Sequence, residues 1–93
     1  MVVGLAVWEL QLFGCSSLKE KRMVVQSLKQ RLHNQFLVSV AETAYQDVHQ
    51  RCELAACVVS ADRRHAAAVL ASADRLVAEE GRARIVDSYT TFY

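Results

Sequence analysis

Hydrophobic and polar positions fall into six patterned segments along the chain. From Val2 to Leu12 they alternate, with Val2, Gly4, Ala6, Trp8, Leu10 and Leu12 on one side and Val3, Leu5, Val7, Glu9 and Gln11 on the other. A period of two predicts a strand, and the even set is the better core face. Gly14 to Ser17 reads as a turn. Ser17 followed three residues later by Glu20 is a capping box, in which the hydroxyl accepts an orphan amide while Glu20 reaches back. A helix is therefore predicted from Leu18. Within it Leu18, Val24, Val25, Leu28, Leu32 and Phe36 share one side, and Lys19, Arg22, Gln26, Lys29 and His33 share another.

Two further strands are predicted over residues 36–46, "FLVSVAETAYQ", and 52–60, "CELAACVVS", joined as a hairpin by the polar turn "DVHQR". Ser60 or Asp62 caps a second helix whose buried stripe is Ala66, Val69, Leu70, Ala73, Leu76 and Val77, with Gly81 as its stop signal. Residues 84–92, "RIVDSYTTF", make a last strand. The order βαββαβ predicts an α+β, ferredoxin-like fold: one domain over residues 1–93, with a four-stranded antiparallel sheet and both helices on a single face.

Composition agrees with a small, regular domain: 93 residues, 53% hydrophobic, 23% charged, three glycines and no proline. The formal net charge is only +1, so attraction to a polyanion must come from a local patch. No apolar run is long enough to span a bilayer, and "MVVGLAVWELQLFG" lacks the basic start and cleavage site of a signal peptide. The expectation is a cytoplasmic protein with no membrane partner. Cys15, Cys52 and Cys57 are odd in number, and the last two lie five apart in one strand, on opposite faces. Reduced thiols fit better than a disulfide framework.

The predicted topology brings distant charges together. Lys19, Lys21 and Arg22 at the start of the first helix should lie near His49 and Arg51 of the hairpin turn and near Arg82 and Arg84 beyond the second helix. Two readings compete for this edge. One is a phosphate-binding surface for RNA, carried by Lys19, Lys21, Arg22, Lys29 and Arg51 with the open amides of a helix N-terminus. The other is a solvated helix face, with Glu20, Asp47, Glu79 and Glu80 close enough to neutralise it. Arg63, Arg64 and His65 form a second basic group in the first turn of the second helix, where the dipole disfavours cations, and exposure makes that placement cheap.

The sheet face opposite the helices would carry Val3, Leu5 and Val7 uncovered, which invites a second copy or a protein partner. RNA stacking there is disfavoured, because the first strand's only aromatic, Trp8, belongs to the helix-facing set and the third strand has none.

Catalytic and metal patterns are weak. Cys15 precedes a helix N-terminus beside Lys19 and Lys21, but a cysteine-phosphatase loop needs an arginine where Lys21 stands, so an incidental thiol is the better reading. His49 and Cys52 have ligand-like spacing without a second pair, and Glu42 and Asp47 do not form a working carboxylate couple. Gly4, Gly14 and Gly81 are isolated, so there is no phosphate-cradling loop. No enzyme activity, cofactor, metal or small-molecule substrate is inferred.

The segments "MVVGLAVWELQL", "SLKEKR", "VVQSLKQRL", "VSVAE", "YQDVHQR" and "CVVS" together resemble the YlxP-like family of small bacterial proteins, a domain of unknown function, over nearly the whole chain. The resemblance implies a ferredoxin-like fold and a bacterial cytosolic protein. It also implies genes for translation initiation and ribosome maturation as frequent neighbours, hence a ribosomal subunit or ribosomal RNA as partner. Lys19, Lys21, Arg22, Glu42, Asp47, Gln50 and Arg51 match the family's motif residues, whereas Phe13, Cys15 and Ala44 depart from its usual pattern. The function expected on this basis is a non-enzymatic RNA- or ribosome-associated factor gripping phosphates through the basic edge. The alternative is a homodimeric interaction module working through the open sheet face, with charges that only confer solubility.

Overall fold

The two hydrophobic periods become four strands and two helices in a computed structural model that describes residues 1–93. The elements are β1 (Val2–Leu12), α1 (Leu18–Phe36), β2 (Ser39–Ala44), β3 (Arg51–Ser60), α2 (Arg63–Ala78) and β4 (Ala83–Phe92). The strands pair antiparallel in the order β2-β3-β1-β4, the expected ferredoxin-like sheet. Both helices pack on the face carrying the even residues of β1. Trp8, Leu10, Leu12, Leu54, Ala56 and the helix residues Val25, Leu28, Leu32, Leu70 and Val77 are all buried there.

Three junctions differ from expectation, each for a local reason. α1 runs to Phe36 because Leu37 adopts a left-handed conformation (φ 54°) and donates its amide to the His33 carbonyl, closing the helix. β2 consequently opens only at Ser39. It ends at Ala44 because Tyr45 is also left-handed (φ 64°), so the strand spans six residues instead of eleven. Gly81 is not a left-handed cap: α2 stops at Ala78, and Glu79, in ordinary right-handed geometry, donates to the Arg75 carbonyl.

Caps fall close to prediction. The Ser17 hydroxyl accepts the Glu20 amide at 3.2 Å, while the Glu20 carboxylate reaches one residue further back than a capping box requires, to the Ser16 amide and hydroxyl. Asp62, not Ser60, caps α2 by accepting the Arg64 amide at 2.9 Å.

β1 and α2 meet closely at Gly4, where an added Cβ would lie 2.9 Å from Leu70 Cδ1 and 3.2 Å from Val58 Cγ1. Glycine here lets the helix approach the sheet. One turn further along α2, the Trp8 indole donates to Asp74 Oδ1 at 2.9 Å, fixing the helix along its axis.

Candidate nucleic-acid interface

The expected convergence at one end of the sheet is present in the backbone. The Leu12 amide bonds to the Gln50 carbonyl and the Phe13 amide to the Arg82 carbonyl, which draws the β1–α1 turn, the hairpin turn and the start of β4 together. Most of the cations gathered there are already engaged.

Lys21 departs furthest from expectation. It is 2% exposed, with its ammonium 2.9 Å from Glu42 Oε2 and donating to the Tyr45 carbonyl. The Glu42 contact is an ion pair and not an aligned hydrogen bond, for Oε2 is buried without a hydrogen-bond partner. Lys21 therefore cannot reach a phosphate; it ties α1 to the end of β2. Cys52, fully buried beside this pair, has its thiol pushed up to about 12, first by burial and then by the Glu42 charge. Cys15 is also a core residue, and Cys57 alone of the three cysteines is partly exposed.

Arg51 is committed as well, lying 2.7 Å from Glu9 Oε2 on the open sheet face. The other Glu9 oxygen accepts the Tyr45 hydroxyl at 2.9 Å, and that bond to a carboxylate raises the phenol's pKa. Arg31 and Arg82 converge on the nearly buried Glu80, whose carboxyl is held down to about 2, chiefly by the Arg82 hydrogen bond. Arg84 donates to Gln11.

What remains is a line along α1. Lys19, Arg22 and Lys29 have no ion-pair partner within 4 Å. With Gln26 and His33 they repeat at intervals of three and four residues, so they share one face over about 21 Å of helix. The far part of this stripe borders an open groove of about 340 Å³ between α1 and the β2 edge, lined by Gln26, Lys29, Gln30, His33 and Val40. At its near end Glu20 has its carboxyl lowered by bonds from the Ser16 amide and hydroxyl, so it stays ionised beside Lys19. The whole helix carries five basic residues and one acidic, a net +4 against −3 for the rest of the chain.

The open sheet face has a different order. Reading the register across β3, β1 and β4, Val59, Val3 and Tyr93 form one row, then Cys57, Leu5 and Thr91, then Ala55, Val7 and Tyr89. A fourth row is acidic, Glu53, Glu9 and Asp87, and a fifth carries Arg51, Gln11 and Arg84. β2 adds Ser39 and Ala41 to the second and third rows. Val3, Leu5 and Val7 do lie on this face. Val7 is nonetheless only 8% exposed, since it stands mid-sheet with strands on both sides. Reading β1 and β3 alone misses Tyr89 and Tyr93, which β4 brings to the same face and which are 58% and 75% exposed.

Comparison with known proteins bears on the whole chain. Residues 3–90 match the family model described as protein of unknown function, DUF503. The chain belongs to the DUF503 family. A further DUF503-like relative, the uncharacterized protein YlxP of Bacillus subtilis strain 168, is 39% identical over 62 residues, covering 67% of each chain. Among solved structures, a dimeric protein of unknown function with a ferredoxin-like fold from Bacteroides fragilis aligns with a TM-score of 0.51 at 14% identity, over 99% of the DUF503 chain and 94% of the other. A de novo designed protein with a ferredoxin fold aligns at 0.48 and 17% identity, covering 100% and 83%. These likenesses concern the fold alone. No helix is long and apolar enough to cross a membrane, and no group of three or more potential ligands is placed to hold a metal ion.

Proposed function

We propose that this chain is a non-enzymatic RNA-binding factor that contacts phosphate backbone, of a ribosomal subunit or another structured RNA, through the exposed stripe of α1. The observation that supports it is the line of unpaired cations Lys19, Arg22 and Lys29, beside Lys21, Arg31, Arg51 and Arg82, which are each paired with a carboxylate of the same chain. The expected set thus narrows: Lys21 and Arg51 leave it, and His33 flanks it. Three such contacts position a backbone without reading sequence, so binding should be salt-dependent and indifferent to base identity.

The test is co-sedimentation with bacterial ribosomal subunits, together with fluorescence polarisation on single-stranded and duplex RNA across a salt series. Three phosphate contacts predict a slope of log K against log salt of about −2 on single strands. The Lys19→Glu, Arg22→Glu, Lys29→Glu variant should stay folded and lose binding. No binding by the unaltered chain at low salt would overturn the proposal.

A second reading, a homodimer, is favoured by the three uncharged, largely apolar rows of the open face, which end in a charged border. The Bacteroides fragilis protein of like fold is described as dimeric. The two readings use opposite sides of the molecule and are compatible.

A further inference from the structure

We propose that the open sheet face docks on a second copy of this chain about a two-fold axis running across the strands, over Leu5 and Cys57; the proposal rests on the homodimer reading. β3 and β1 share one five-step order, three apolar or small residues, then an acid, then a basic or amide group, and beside them Tyr93, just past β4, leads Thr91, Tyr89, Asp87 and Arg84 in the same register. The face is therefore apolar at one end and charged at the other, and this asymmetry decides how two copies meet.

An axis along the strands would lay each row on its own equivalent. Glu53, Glu9 and Asp87 would then confront the same three carboxylates of the partner, an arrangement that like-charge repulsion disfavours. An axis across the strands reverses the rows. With the axis over the second row, Leu5 meets Leu5 and Cys57 meets Cys57, the first row meets the third, and both acidic rows project beyond the apolar overlap into water.

Relief supports this arrangement over an unrelated partner, because the face becomes complementary to itself. Val59, 65% exposed, comes to lie over the hollow at Ala55 and Ala41, large against small, while Val3 faces Val7 and Tyr93 faces Tyr89. Aligned sheets cross at about 30°, which keeps the second row near the axis. Three rows about 6.7 Å apart on four strands about 4.8 Å apart project about 380 Å². A standard interface buries about 800 Å² per partner, so the association belongs among the concentration-dependent ones.

Sedimentation velocity on the full chain over a concentration series tests the reading, and three variants test the axis. The expected result is a monomer–dimer equilibrium weakened at least about tenfold by Val59→Arg, which buries an unpaired charge. A short bismaleimide should couple the two Cys57 thiols into a covalent dimer that Cys57→Ser abolishes, since Cys15 and Cys52 are buried and facing sheets about 10 Å apart are too distant for a direct disulfide. Glu53→Gln with Asp87→Asn should leave the constant within about twofold, the two carboxylates being in water in both states.

A folded chain that stays monomeric throughout overturns both the reading and the proposal. Dimers unaffected by Val59→Arg place the contact elsewhere. Dimers that tighten when the acids are neutralised, or that give no Cys57 cross-link, overturn the axis and leave the homodimer standing. RNA that protects this face in place of a second copy overturns the occupant.

Discussion

Lys21 shows how one position sets both what the surface can bind and what the core must tolerate. Positions 18, 21, 25, 28 and 32 form one seam on α1, and four of them are apolar. A lysine in that seam must bury its stem and find a partner for its charge, and Glu42, on the helix-facing side of β2, supplies it. The signal was legible in the spacing, but grouping Lys21 with its basic neighbours in the chain obscured it. Lys21→Met should cost about 2–4 kcal/mol in urea unfolding, because Glu42 is then left in a poorly hydrated site. Adding Glu42→Leu should recover most of that loss. Gly4 is a constraint of volume: Gly4→Ala should lower stability by about 1–3 kcal/mol, read from the urea midpoint, as Leu70 and Val58 give way.

At the scale of elements, β1, β3 and the two helices were legible because each holds one hydrophobic period for most of its length, whereas β4 slips register opposite Glu9 and Leu10 and keeps no clean alternation. The ends of β2 were not legible. Both are set by left-handed residues, Leu37 and Tyr45, that carry side chains, and nothing in their identity announces a conformation usually left to glycine. The stripe on α1 was fully visible as spacing, but which of its neighbours were already neutralised depends on strand register and loop closure. A charge reversal confined to Lys19, Arg22 and Lys29 should shift the thermal midpoint by no more than about 5 °C, since Lys19 and Arg22 are exposed, Lys29 is partly so, and none has an ion-pair partner. A variant that included Lys21→Glu would unfold and would say nothing about binding.

Across the whole molecule, Glu80 links the end of α2 to α1 through Arg31 and to the start of β4 through Arg82. Its folded pKa lies below its unfolded value, so the bridge contributes fully above about pH 4.5 and is lost as pH falls through about 2. The contribution is on the order of 2 kcal/mol, reduced because both arginines are roughly half in water. Glu80→Gln should therefore flatten the acid limb of a stability–pH curve between pH 4.5 and 2 while lowering stability at neutral pH. The +4 on α1 has a further consequence. Two of those charges, Lys21 and Arg31, are cancelled by Glu42 and Glu80, which leaves +2 on α1 against −1 elsewhere and gives a nearly neutral molecule an electric dipole directed out through that helix. In the field of a polyanion it experiences a torque before it experiences much net pull, so α1 is turned toward the surface during approach and encounters arrive already oriented.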